Sequence, residues 1–190
     1  MGFTRAELES FRDATVEDLI GDDPRLVFVG INPGLWTAAT QTHFAHPGNR
    51  FYPALLRAGI IDREVDRSAG FTAEDRRHLL ARGIGVTNLV MRATVRASEL
   101  TPDELRTGGA LVRDKIERWN PRVAAFAGIT AFRQAYRQPR AEMGRQPQTW
   151  GDTDVWVVPN PSGLNAHETV ESLAKAYRDA ALAAGVVVTP

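Results

Sequence analysis

The chain has 190 residues, with 23 Lys plus Arg against 23 Asp plus Glu, zero formal net charge and no cysteine. Disulfides, thiolate zinc sites and iron–sulfur clusters are therefore excluded. No run approaches ~18 consecutive apolar residues, and Met1 to Asp13 lack a signal-peptide core, so the expectation is a cytoplasmic protein that does not span a membrane. The length suits a single domain over 1–190 with a full-sized core. Charge balance argues against a protein held on nucleic acid mainly through phosphates. Nearly every cation is Arg, with Lys only at 115 and 175. Arg suits bidentate phosphate contacts, although a GC-rich genome yields the same bias.

Thr4-Arg5-Ala6-Glu7 is a capping box that opens a short helix, with Leu8 and Phe11 on its apolar face. A turn at Gly21-Asp22-Asp23-Pro24 leads into Leu26-Val27-Phe28-Val29-Gly30, apolar without alternation, as in a strand covered on both faces. Pro33 ends the pairing, and Gly30 and Gly34 permit close approaches that a Cβ would block. Residues Thr37 to Thr42 read as irregular. A helix follows from Pro53 to Ala58, closed by Gly59, and a second is capped by Thr72 and stopped by Gly83. Ile84 to Val90 is a second strand, with Asn88 near its end, and Arg92 to Ser98 is a polar loop. Thr101-Pro102-Asp103-Glu104 caps a helix whose buried face is Leu105, Gly109, Val112, Ile116 and Trp119.

After the break at Asn120-Pro121, Val123 to Ala127 form a third strand closed by Gly128. The Pro-, Gly-, Gln- and Arg-rich residues 137–151 read as a long surface loop. Val155 to Pro159 are a fourth strand, and the last helix has Asn165 and Glu168 as a capping pair and Val170, Leu173, Ala174 and Tyr177 as its stripe. Strands alternating with helices predict an α/β fold in three layers, a four-stranded, mostly parallel sheet with helices on both faces.

Two loops, Gly30-Ile31-Asn32-Pro33-Gly34 and Asn160-Pro161-Ser162-Gly163-Leu164-Asn165, each follow a buried strand. In a parallel sheet both fall on the carboxyl edge and can face each other across a crevice. Taken singly, each is also ordinary turn chemistry. The phosphate-binding Gly-Lys loop, a complete Gly-x-Gly-x-x-Gly and the Gly-x-Ser-x-Gly elbow are absent from the sequence. His43 and His46 are three apart but lack a nearby carboxylate, so a metal is not expected.

Gly30-Ile31-Asn32-Pro33-Gly34, Phe44-Ala45-His46-Pro47 with Asn49-Arg50-Phe51, Gly85-Val86-Thr87 and Asn160-Pro161-Ser162-Gly163-Leu164 together resemble the mismatch-specific uracil-DNA glycosylases. These are the bacterial uracil/thymine mismatch branch of the uracil-DNA glycosylase superfamily, and the resemblance runs from about Val16 to Tyr177. It implies a monomeric, monofunctional hydrolase that needs no cofactor or metal. Its partner would be double-stranded DNA bearing a mismatched or damaged base, which it excises to leave an abasic site.

By the same resemblance Asn32 is the catalytic residue, holding a water beneath the anomeric carbon where other branches have Asp. Ile31, Gly34, Phe44 and Asn160 would form the base pocket, with Phe44 stacking on the extruded base and Gly34 leaving room at its C5 edge. Leu164 would be a wedge in the base stack, with Gly163 and Asn165 at the opposite base. Asn88, Ser162 and Arg50 are possible DNA or site contacts, and Arg92, Arg96, Arg140 and Arg145 are further candidates for phosphates. Two departures stand out. Asn160 occupies a position where several members have His, and Ala166 and His167 stand where a cation often follows the wedge. Two other readings remain open, a nucleosidase acting on free nucleosides and a non-catalytic lesion-binding module.

Overall fold

The computed structural model describes residues 2–67 and 69–189. One sheet is built from β1 (Leu26–Gly30), β2 (Ile84–Asn88), β3 (Val123–Ala127), β4 (Gly144–Trp150) and β5 (Thr153–Val158), in the order β2-β1-β3-β5-β4. All neighbours are parallel except β4, which runs antiparallel to β5. The α-helices are α1 (Arg5–Glu9), α2 (Leu35–Thr40), α3 (Phe51–Arg57), α4 (Ala73–Ala81), α5 (Pro102–Trp119), α6 (Ile129–Tyr136) and α7 (Val170–Ala183). None in the described residues is long and apolar enough to cross a membrane.

Strand β1 divides the core by its two-residue period. Leu26 and Phe28 join Phe51, Tyr52, Leu173 and Tyr177 on the face covered by α3 and α7. Val27 and Val29 join Val112, Ile116, Phe126 and Phe132 on the face covered by α5 and α6. Phe28 lies 5.0 Å from Phe51 and 5.2 Å from Tyr177 between ring centroids, at tilted or edge-on angles that favour ring pairs. Both faces of the strand are thus committed, which is why it lacks alternation in sequence.

The α/β class and the three layers are as expected, with one strand more than expected. Residues within 137–151 do not form only a loop: Gly144–Trp150 pair as the edge strand β4. The register slips between Arg145 and Thr149, and Pro147, which has no N–H to donate, sits inside that bulge. An edge strand with a solvated face has the composition of a loop. Trp150, 5.5 Å from Phe126, anchors it to the core, and Gln146 is buried beside it in the strand.

Other boundaries move as well: α3 begins at Phe51, two residues before Pro53, and β5 at Thr153, two before Val155. The expected capping pair of Asn165 and Glu168 does not cap α7; Thr169 does, accepting from the Ser172 N–H at 3.1 Å. Asn165 is instead committed to the loop before it, donating through Nδ2 to the Asn160 carbonyl at 3.1 Å. Part of the irregular stretch after Gly34 is helix α2, which buries Leu35, Thr37 and Ala38. Strand β2 ends at Asn88, although the Leu89 and Val90 N–H groups still reach the Gly30 and Ile31 carbonyls, at 2.9 and 3.0 Å.

Helix α5 crosses the end of β2 on Gly108, where an added Cβ would run into the Leu89 carbonyl oxygen. Helix propensity alone would make Gly108→Ala stabilising by about 1 kcal/mol. Backbone cannot rotate out of the way, so overpacking of about 1–3 kcal/mol outweighs that gain. The expected outcome is a net loss of stability for Gly108→Ala, read as a lower urea midpoint at unchanged slope.

Candidate active site

The parallel register brings strand ends level. Gly30 lies opposite Asn88, and Ala127 opposite Val158. The segments leaving those ends enclose a cavity of about 590 Å³ at the carboxyl edge of the sheet. Ile31, Asn32, Gly34, Phe44 and Asn88 line it, together with Asn160, Ser162, Gly163, Leu164 and Asn165 from the loop that leaves β5. Residues 94–98 close a third wall. A wider and more open depression of about 1030 Å³ runs along α5, between Leu89–Met91 and the side chains of Leu111 and Val112; Asn88 borders it too, but Asn32 and Asn160 do not.

Asn32 is fixed by its nitrogen. Nδ2 donates to Thr94 Oγ1 at 2.7 Å and to the Arg92 and Pro33 carbonyls at 3.1 Å each. Carbonyls only accept, so the amide has one orientation, and Oδ1 is left to accept from whatever enters the cavity. Thr94 is buried, and its own hydroxyl proton goes to the Arg96 carbonyl at 2.9 Å. The loop that supplies these acceptors is tied down in turn. Arg92 reaches Glu104 at 2.5 Å and Asp13 at 2.9 Å, and the guanidinium holds the Glu104 carboxyl down to about 2.

Asn88 is oriented through a buried imidazole. His43 Nε2 lies 2.9 Å from the Glu17 carbonyl, and its Nδ1 lies 3.3 Å from Asn88 Nδ2. Burial pushes His43 down to about 4, against the weaker pull of the Glu17 carbonyl. The neutral ring must donate from Nε2 to that carbonyl, so Nδ1 accepts and Asn88 presents Oδ1. That oxygen occupies the space a Cβ on Gly30 would need, and the Phe44 ring tip lies 3.3 Å from the same point. Gly30 is therefore required by crowding at the cavity floor, not by its backbone angles.

Phe44 has a left-handed backbone, φ 55°, and one face of its ring stacks on Phe51 at 4.2 Å and 27°. A non-glycine residue held there is strained and persists only where its surroundings enforce it. At Gly34 an added Cβ would meet nothing within 4 Å, so the cavity is open at that corner.

Across the cavity, Asn160 is turned the opposite way to Asn32. Its Oδ1 accepts from the Ser162 N–H at 3.0 Å, which leaves Nδ2 as the outward donor. Ser162 Oγ accepts from the Leu164 N–H at 3.3 Å. Leu164 stands 85 % exposed at the tip of this loop, a large apolar side chain with no packing of its own.

The sequence-predicted residues Ile31, Asn32, Gly34, Phe44, Asn88, Asn160, Ser162, Gly163, Leu164 and Asn165 all meet at this cavity. Arg50 does not line it; its guanidinium is turned to the carbonyls of Ser162, Asn165 and Glu168. Arg92 and Arg145 are likewise engaged within the chain, Arg145 with Asp154 at 2.7 Å, and Arg140 lies in a separate hollow beside β4. Arg96 is exposed at the cavity mouth and has no ion pair among the described residues. Sequence reading missed Thr94 and His43. Thr94 lies in a stretch that reads only as a polar loop, and His43 stands out in sequence only for its spacing from His46, which points to a metal and not to Asn88.

A model of the Uracil DNA glycosylase superfamily matches residues 17–183. The fold is similar to that of the solution NMR structure of a candidate uracil DNA glycosylase from Methanosarcina acetivorans. The TM-score is 0.59 at 16 % identity, covering 88 % of this chain and 96 % of that one.

His43 gives the site a pH signature in stability. Its value falls from 6.5 to about 4 on folding, so the unfolded chain takes up the proton first as pH drops. The contribution is present in full above about pH 6.5 and is lost toward pH 4, by about 3 kcal/mol. Urea unfolding between pH 7.5 and 4.5 should show that slope, and His43→Gln should flatten it.

Proposed function

Because the chain belongs to the Uracil DNA glycosylase superfamily, whose members are DNA glycosylases, we propose that it is a monofunctional enzyme of the uracil/thymine mismatch branch. It acts on double-stranded DNA, extruding a mispaired uracil or related base into the cavity and hydrolysing its glycosidic bond. The observation that carries this reading is the Asn32 amide, held oxygen outward at a cavity whose far lip is the exposed Leu164.

The chemistry follows from which end of each amide is free. Asn32 Oδ1 accepts one proton of a water and so aims the water's lone pair at the anomeric carbon. An amide is too weak a base to take that proton outright. Its contribution is placement, which can supply several kcal/mol when the reacting atoms are held in a near-attack geometry. As the water oxygen bonds to the sugar, the base departs with the bonding pair, and the proton that the new C–O bond displaces passes to solvent. Asn160 Nδ2 is the donor available to a pyrimidine carbonyl gathering that charge. Asn88 Oδ1 is an acceptor, suited to an imino N–H or an exocyclic amine, and Phe44 offers the ring on which the base stacks.

Selectivity divides between pocket and helix. Gly34 leaves the C5 edge unguarded, so the pocket admits substituted pyrimidines. Discrimination then rests on how cheaply a base leaves the stack, which is least costly for a mispaired one. Leu164 contributes on the order of 1.5–3 kcal/mol when it moves from water into the gap, comparable with the cost of unstacking one step. Arg96 at the mouth is placed for a phosphate beside the extruded nucleotide.

Single-turnover assays on a G·U duplex test the reading. Wild-type protein should generate abasic sites, and Asn32→Ala should lose at least about a hundredfold in rate with duplex affinity changed less than about threefold. Lesion binding without any abasic product, or equally rapid cleavage of free deoxyuridine, would overturn it. A second variant probes the pocket. Gly34→Tyr should keep uracil excision and lose about tenfold or more on 5-substituted uracils, because its backbone, φ −80°, accepts any side chain.

A further inference from the structure

The loop that carries Leu164 is short, polar and rich in Pro, Gly and Asn, and such a chain does not choose one shape unaided. It is closed around a cation from elsewhere in the sequence. Arg50, the residue before α3, donates its backbone N–H to the Pro161 carbonyl at 2.9 Å. Its guanidinium donates through Nη2 to the carbonyls of Ser162 at 2.7 Å and Asn165 at 2.6 Å, and through Nη1 to that of Glu168. No carboxylate pairs with Arg50 among the described residues, so these carbonyl dipoles are its main counter-charge. The loop is also pressed against residue 48: a Cβ on Gly163 would lie 2.5 Å from the Gly48 carbonyl oxygen. Segment 47–49 is itself anchored, since Arg67 Nη2 donates to the Pro47 and Asn49 carbonyls at 3.1 and 3.0 Å.

We infer that Arg50 is a positioning residue for the wedge: it sets the shape of residues 162–168 so that Leu164 stands clear, and it couples that loop to the segment bearing Phe44. The inference rests on the glycosylase reading given above. A planar fork serves several carbonyls at fixed angles, which an ammonium cannot do. Held in this way, the wedge does not have to be ordered when it enters the base stack, so little of its burial free energy is lost to entropy.

Four variants test this on uracil excision from a G·U duplex and from single-stranded DNA, with 2-aminopurine fluorescence beside the uracil reporting extrusion. Arg50→Gln should slow the duplex reaction and weaken the extrusion signal by about tenfold or more, with single-strand excision within about threefold of wild type. Arg50→Lys should be as poor as Arg50→Gln, because charge without the fork does not close the loop. The double variant Arg50→Gln with Leu164→Ala should be no slower on duplex than Leu164→Ala alone. Arg67→Gln frees the Pro47 and Asn49 carbonyls beneath the loop, leaves Arg50 intact and should show the same duplex-selective loss in milder form, which keeps the test open if Arg50→Gln does not fold. A Lys variant at the wild-type rate would make Arg50 a phosphate contact, and equal losses on both substrates would make it a support of the pocket; either overturns the inference, as do multiplicative losses in the double variant. Hydrogen exchange separates this from failure of the glycosylase reading. Faster exchange of the Leu164 and Asn165 amides in Arg50→Gln supports the positioning role of Arg50 whether or not the wild type excises uracil, and unchanged exchange overturns it.

Discussion

Thr94 hands its hydroxyl proton to the Arg96 carbonyl and can therefore only accept from Asn32. With the Arg92 carbonyl on the other side, the amide cannot flip. The same logic runs through His43, which is held neutral by burial and made to donate to Glu17, and so fixes Asn88. An amide presents a donor from one end and an acceptor from the other, so a site built from Asn side chains has no defined polarity until something outside it decides. Here backbone carbonyls, the Ser162 N–H and one imidazole decide, on the segments that follow β1, β2 and β5 and on the chain beside Phe44.

A site made this way works without a charged group at its centre. Among the described residues no carboxylate lines the cavity, and Arg96 is its one formally charged wall residue. Anionic DNA can approach without repulsion from within, at the cost of a strong base. The weak nucleophile holder and the roomy Gly34 corner belong together under the proposed activity. Neither discriminates finely, and both shift the burden of choice to the energetics of opening a duplex.

The parts of this arrangement differed in how far they could be read in advance. Strand β1 and the Asn-Pro loops are legible because a buried parallel strand and its abrupt end leave a local mark. The capping boxes at Thr4, Thr72 and Thr101 are legible for the same reason, since cap and partner are three residues apart. Thr94 and His43 act across 62 and 45 residues of sequence, on Asn32 and Asn88, and no local pattern announces such contacts. Arg50 shows the same limit. As a cation beside an apolar helix it looked like a phosphate ligand, and only the return of residues 162–168 gives it carbonyl partners. Strand β4 was hidden by composition, because an edge strand with a bulge keeps the residues of a loop.

Phe44 is a place where two demands oppose each other. Its backbone sits where an L side chain costs about 1 kcal/mol or more, and the stack on Phe51 offsets that cost. Glycine or asparagine would relax the main chain and lose the ring, whereas a β-branched residue would worsen the strain and lose the ring as well. Flat aromatics alone satisfy both sides. The position therefore takes only ring-for-ring exchange while the stacking surface is kept, and each such exchange carries the same backbone cost.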